Sequence, residues 1–83
     1  MDVFEASTRV LSLAACGASH AKIMTMHKHL RQDEMRWLLK MLVDRNLLEI
    51  DSSAAYWVTV DGVKFLEIQF HMERILQAQK SLV

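Results

Sequence analysis

The stretch SHAKIMTMHKHLRQDEMRWLLKMLVDRNLLEI, residues 19–50, leaves a chain of this kind few folds to choose from. Met35, Leu38, Leu39 and Leu42 fall at i, i+3, i+4 and i+7, so a helix over about residues 32–45 carries them as one buried stripe. A shorter helix before it, over about residues 19–28, offers Ile23 and Met24 to that stripe, and Leu30 closes the polar turn at residues 29–32. Two helices packed across a short turn, the second amphipathic, form a helix-turn-helix. The outer face of the second helix then holds Gln32, Asp33, Arg36, Trp37, Lys40, Met41 and Asp44.

Charge matters here through its distribution. The formal net charge is zero, so no global basic signal exists. Within residues 20–40, however, Lys22, Lys28, Arg31, Arg36 and Lys40 face only Asp33 and Glu34, a local net of +3 that the remainder must balance with −3. A basic helix-turn-helix on an acidic body fits a nucleic-acid-facing side. Apolar residues make up 52% of the 83, more than a domain of this size readily hides, and that argues for self-association. The single cysteine, Cys16, excludes an intrachain disulfide framework and reads as core filler in a reducing, cytoplasmic setting. No apolar run approaches the ~18 residues a membrane span needs, and the start MDVFEAST has no leader pattern.

Along the chain, a first helix is expected over residues 2–16, capped by Asp2, with Phe4, Leu11, Ala14 and Ala15 inward and Gly17 as its stop. Ser19 caps the second helix, and Asn46 tolerates the left-handed stop of the third. Residues 47–50 and 56–60 read as two strands joined by DSSAA, a hairpin that follows the third helix as the wing of a winged helix. Tyr56, Val58 and Val60 share one face, expected inward, and Trp57 and Thr59 the other. From Thr59 or Asp61 a last helix runs to about residue 82. Leu66 and Phe70 are expected to face the domain. Phe65, Ile68, Met72, Ile75, Gln79 and Leu82 alternate by three and four in a heptad pattern broken only by Gln79. Left bare, such a stripe is an aggregation hazard, so it predicts a homodimer through this helix. The fold class is therefore mainly α with a small β-hairpin: a winged helix-turn-helix over residues 1–60 and a C-terminal dimerisation helix over residues 61–83, in one structural unit.

This order resembles the small archaeal winged-helix DNA-binding proteins of about ten kilodaltons that dimerise through a C-terminal antiparallel coiled coil. The match is carried by Ala21-Lys22-Ile23-Met24, Leu30, Met35, Leu38-Leu39, Leu42, Asn46-Leu47-Leu48, Tyr56, Thr59, Gly62 and Phe65-Leu66. In that family the second helix usually reads Lys-Thr-Xaa-Ile-Met, and the last is introduced by Tyr-Xaa-Leu-Thr-Xaa-Xaa-Gly-Xaa-Xaa-Phe-Leu. The likeness spans about residues 5–80 and rests mostly on core positions, which specify a fold better than a function. Three departures matter. Arg31 replaces a helix-capping serine, leaving Asp33 or water to serve those amides. Asn46 replaces a glycine. The wing carries Glu49 and Asp51 and no cation, although a wing lying along phosphates usually wants positive charge. The resemblance implies antiparallel pairing and DNA binding.

Arg31 and Gln32 open the candidate recognition helix, where base edges are reached, with Arg36 one turn on and Lys40 placed for phosphate. Lys22, Lys28 and His29 would hold the backbone alongside. Trp37 and Met41 share the outer face and suit thymine methyls, or else the centre of a protein contact; Trp37 tucked beneath the wing is a further alternative. His27 and His29, two apart on a helix, diverge, so no zinc site is expected. The chain has no phosphate loop, nucleophile elbow or paired carboxylates, so neither an enzyme nor a cofactor is expected. The expected function is a dimeric double-stranded DNA-binding protein, a transcriptional regulator or a nucleoid-associated chromatin protein. The alternative is a protein-interaction module of a transcription complex, with little DNA affinity, acting through Trp37 and Met41. A ligand sensor using the dimer seam is a third idea, with no ligand specified.

Overall fold

The computed structural model describes residues 2–81, with side chains through residue 78. It is mainly helical, with one small antiparallel sheet. Helix α1 spans Val3–Leu13 and starts at Asp2, whose side chain accepts the Glu5 amide at 3.2 Å. Its inner face is Ala6, Ser7, Val10 and Leu11. The expected continuation to Cys16 tightens into a 3-10 turn over Ala14–Cys16. Phe4 and Ala15, expected inward, are exposed, and so is Cys16, so this thiol is not core filler. Gly17 ends the element at φ +80°, in the region glycine alone enters freely. A Cβ there would also stand 2.6 Å from the Trp57 ring, so the position requires glycine twice over.

Two residues then form a strand that two-residue periodicity cannot announce. Strand β1, Ala18–Ser19, pairs antiparallel with β3, Ala55–Val58, and β3 pairs on its other side with β2, Leu48–Ile50. The sheet order is β1-β3-β2, so the expected hairpin is the larger part of a three-stranded sheet. Ser19 also caps α2, His20–Met26, its hydroxyl accepting the Lys22 amide at 3.1 Å. Helix α3, Gln32–Asp44, buries Met35, Leu38, Leu39 and Leu42, the four residues that its periodicity selects. It closes on Asn46 at φ +60°, with Leu47 N–H donating to Leu42 O and Asn46 N–H to Val43 O, the paired bonds of a Schellman stop.

At the other end of α3, Arg31 has no side-chain acceptor to offer as a cap. Glu34 reaches back to the Arg31 amide at 3.2 Å, the return half of a capping box. Asp33 does not cap; it binds the Arg31 guanidinium at 3.0 Å.

Thr59 organises the passage into α4, Val60–Ser81. Its hydroxyl donates to Asn46 O at 2.6 Å and accepts the Gly62 amide at 3.0 Å, and Asn46 Nδ2 donates to Asp61 at 3.1 Å. A Cβ on Gly62 would collide with Leu47 O and the Val58 side chain. The helix therefore leaves the body pinned to the end of α3. Val60, expected inward on a strand, is instead 73% exposed at the first position of α4.

Among the described residues, thirteen apolar ones form the core, from Ala6, Val10 and Leu11 through Ile23 and Leu30 to the α3 stripe, Leu48 and Leu66. Leu66 is buried and Phe65 half-buried, the latter stacked on Phe4 with ring centroids 6.3 Å apart. Phe70, expected to face the domain, is half exposed, and every residue from Phe70 to Ala78 is exposed. At 1.5 Å per residue α4 is ~33 Å long. Among the described residues no helix is long and apolar enough to cross a membrane.

Candidate nucleic-acid interface

Helix α3 presents two different flanks. On one, Arg36 and Lys40 line a concavity with His20 from the start of α2 and Ile50 and Tyr56 from the sheet. Arg36 has no carboxylate within ion-pair distance among the described residues. Lys40 lies 3.7 Å from Asp44, with both side chains mostly in water, where such a pair is worth little. Gln32 is exposed one turn before Arg36, and Lys22 and Lys28 are exposed on and just after α2. Arg31 is exposed too, but its guanidinium is engaged by Asp33.

The other flank is apolar. Trp37, 52% exposed, and Met41 line a groove of 670 Å³ with Val3 and Phe4 of α1, Leu47, and Phe65 of α4. Trp37 is thus neither beneath the hairpin nor in the concavity of Arg36 and Lys40. Successive residues on a helix lie ~100° apart, which is enough to turn residues 36 and 37 toward different neighbours. His29 also leaves the expected group, lining a cleft with Asp2, Glu5 and Arg9 of α1. Conversely, His20 joins Arg36 and Lys40 although no local motif marks it; only the β1–β3 pairing, which fixes where α2 begins, brings it there.

The stripe proposed for self-association divides as well. Ile68, Met72 and Ile75 are exposed, and Leu76 joins them, whereas Phe65 is half-buried against Phe4. The Gln79 side chain and Leu82 lie outside the described residues.

Two further residues, Asp51 and His27, have roles here that the sequence alone does not show. Asp51, at the hairpin tip, accepts the Ser53 hydroxyl at 2.7 Å and the Ser53 and Ala55 amides at 2.8 and 3.0 Å on Oδ1, and the Trp57 indole N–H at 2.7 Å on Oδ2. These donors, the Ser53 hydroxyl foremost, then Ala55 and Trp57, lower its pKa to about 2. The acid at the tip is therefore turn scaffolding that holds Ala54 at φ +63° and anchors Trp57 over Gly17. His27, 3% exposed, directs Nδ1 at Ile23 O, 3.0 Å away. A carbonyl only accepts, so Nδ1 donates this bond, and buried Nε2 has no partner among the described residues. His27 and His29 have ring centroids 6.0 Å apart, and no group of three or more metal-ligating side chains occurs among the described residues.

What this geometry defines is a small, mainly helical protein with two different flanks on one helix: a concavity lined by Arg36, Lys40 and Asp44, and an apolar groove. Compared with known proteins, the chain matches no family model, no curated relative and no solved structure.

Proposed function

We propose that this protein is a winged helix-turn-helix that binds double-stranded DNA as a homodimer, with α3 as the recognition helix and α4 as the pairing helix. The observation that carries this reading is the solvent-facing set Gln32, Arg36 and Lys40, with Arg36 unneutralised and His20 beside it. Arg36 has the reach and the donor fork to bridge guanine in the major groove, Gln32 to bridge adenine, and Lys22, Lys28 and Lys40 to sit on phosphate. Trp37 and His29 fall outside this contact set. A regulatory or chromatin-associated role on the nucleoid follows for a protein of this kind.

A titration of duplex DNA by mobility shift tests it. Three or four phosphate contacts per copy in a dimer give a log–log salt slope of roughly −5 to −7. Absence of binding to any duplex at ~50 mM salt defeats the proposal, because phosphate attraction is strongest there. Arg36→Ala with Lys40→Ala should weaken binding to all sequences and flatten the slope, with the far-ultraviolet spectrum unchanged.

The apolar groove around Trp37 supports a second reading, a protein-interaction module. Affinity for a partner through that groove would change little between low and moderate salt, which separates it from DNA binding.

A further inference from the structure

We infer that the groove between α1, α3 and α4 binds a small aromatic carboxylate, with three rings to stack on, Arg45 to meet the charge and Ser7 to donate a hydrogen bond. The site depends neither on DNA binding nor on the pairing of copies.

The walls set the shape of the ligand. Phe4 and Phe65 stack with centroids 6.3 Å apart and planes 6° from parallel, and Trp37 and Met41 line the groove beside them. Phe4 is 64% and Trp37 52% exposed, so both rings keep open surface for a further aromatic partner. Aromatic rings favour offset or edge-on neighbours at ~4.5–7 Å, and a thioether also packs well against them. At 670 Å³ the groove falls within the ~300–1,000 Å³ of small-molecule sites, which combine an apolar lining with a few polar groups.

Two polar groups fit that description. Ser7 lines the groove at 3% exposure, and its hydroxyl has no hydrogen bond among the described residues. Other helical hydroxyls in this chain do find one: Thr8 and Thr25 each donate to the carbonyl four residues back, at 2.9 and 2.8 Å. A buried hydroxyl without a partner carries a cost that a bound acceptor removes. Arg45 lines the same groove and has no carboxylate within ion-pair distance among the described residues. Nor is its side chain needed at the end of α3, because the Asn46 and Leu47 amides already cap Val43 O and Leu42 O. A guanidinium offers a carboxylate two parallel donors.

Charge decides the sign of the ligand. No Asp or Glu lines this groove, whereas the neighbouring cleft between α1 and α4 holds Asp2, Glu5 and Glu73. Arg45 repels a cation, and a neutral ligand leaves the guanidinium unused. One hydroxyl and one guanidinium match the two oxygens of a single carboxylate, not the repeated donors and acceptors of a peptide.

The probe is 2-naphthoate, titrated into isotope-labelled protein. It should shift the Trp37 indole N–H and the Ser7 and Arg45 amides and leave the Trp57 indole N–H in place. Arg45→Gln should weaken 2-naphthoate roughly three- to tenfold and leave the uncharged isostere 2-naphthamide unaffected. Ser7→Ala should weaken 2-naphthoate about threefold without lowering the melting temperature, since that hydroxyl has no protein partner to lose. Equal affinity for 2-naphthoate and 2-naphthamide, or for 2-naphthoate and octanoate, overturns the assignment and makes the groove an unselective apolar surface. Shifts at His20, Arg36 and Lys40 in place of the groove residues overturn it too, as does an unmoved Trp37 at millimolar probe. An apparent affinity that falls as protein concentration rises shows a second copy in the groove and equally defeats the proposal.

Discussion

The body of the molecule and the far half of α4 obey opposite rules. In the body, apolar side chains meet one another, and junction groups find partners too: Asn46 bonds Thr59 and Asp61 across the length of the hairpin, and Asp51 bonds the Trp57 indole within its own turn. From Phe70 to Ala78 every side chain is exposed, although Phe70, Met72, Ile75 and Leu76 are as apolar as the core residues. The body's sequence serves the folding of a single copy, whereas that of the far half of α4 gains from burial only if something else covers it.

Substitutions on the two sides sharpen that contrast. The largest effect is expected inside. Leu38→Ala removes a fully buried side chain from the α3 stripe and should cost about 3–4 kcal/mol, read from the urea midpoint of a dilute sample. Gly17→Ala should cost about 2–4 kcal/mol, because the new methyl enters a left-handed conformation and meets the Trp57 ring. A cost below ~1 kcal/mol would mean that the ring yields.

Acid probes the hairpin tip separately. Asp51 titrates at about 2 when folded against 3.8 otherwise, so the unfolded chain takes up the proton first. The stability contributed by this carboxylate is complete above about pH 4 and fades as pH falls from there through about 2. Asp51→Asn should flatten that part of a stability–pH curve measured by circular dichroism at fixed urea.

The smallest effect is expected outside. Ile75→Ala should shift the stability of the dilute monomer by less than ~0.5 kcal/mol while weakening self-association. A loss comparable to that of Leu38→Ala would erase the distinction between the two halves.

Much of the body was legible because its signals are local. The four-residue stripe of α3, the Ser19 cap and the Asn46 stop each follow from spacing or from one residue's conformational range. What escaped depends on residues far apart in the chain. Strand β1 is two residues long and exists only through β3. Phe4 reads as core-facing until α4 arrives beside it and stacks Phe65 on its ring. Trp37 and Arg36 are neighbours in sequence, and what divides them is the placement of α1 and α4 on one side and the sheet on the other. Val60 continues the alternation of a strand, yet Thr59 caps a helix at that point, and the cap prevails over the pattern.

The small lock of Asn46, Thr59 and Asp61 has a mechanical consequence. It fixes the angle at which the longest lever in the molecule meets the helix bearing Arg36. A swing of about 10° at that hinge moves the far end of a ~33 Å rod by ~6 Å, more than the ~3.4 Å between stacked bases. Three side chains thereby act as the gauge block of the protein: loosening them leaves both arms intact and changes the distance over which a pair of copies could measure.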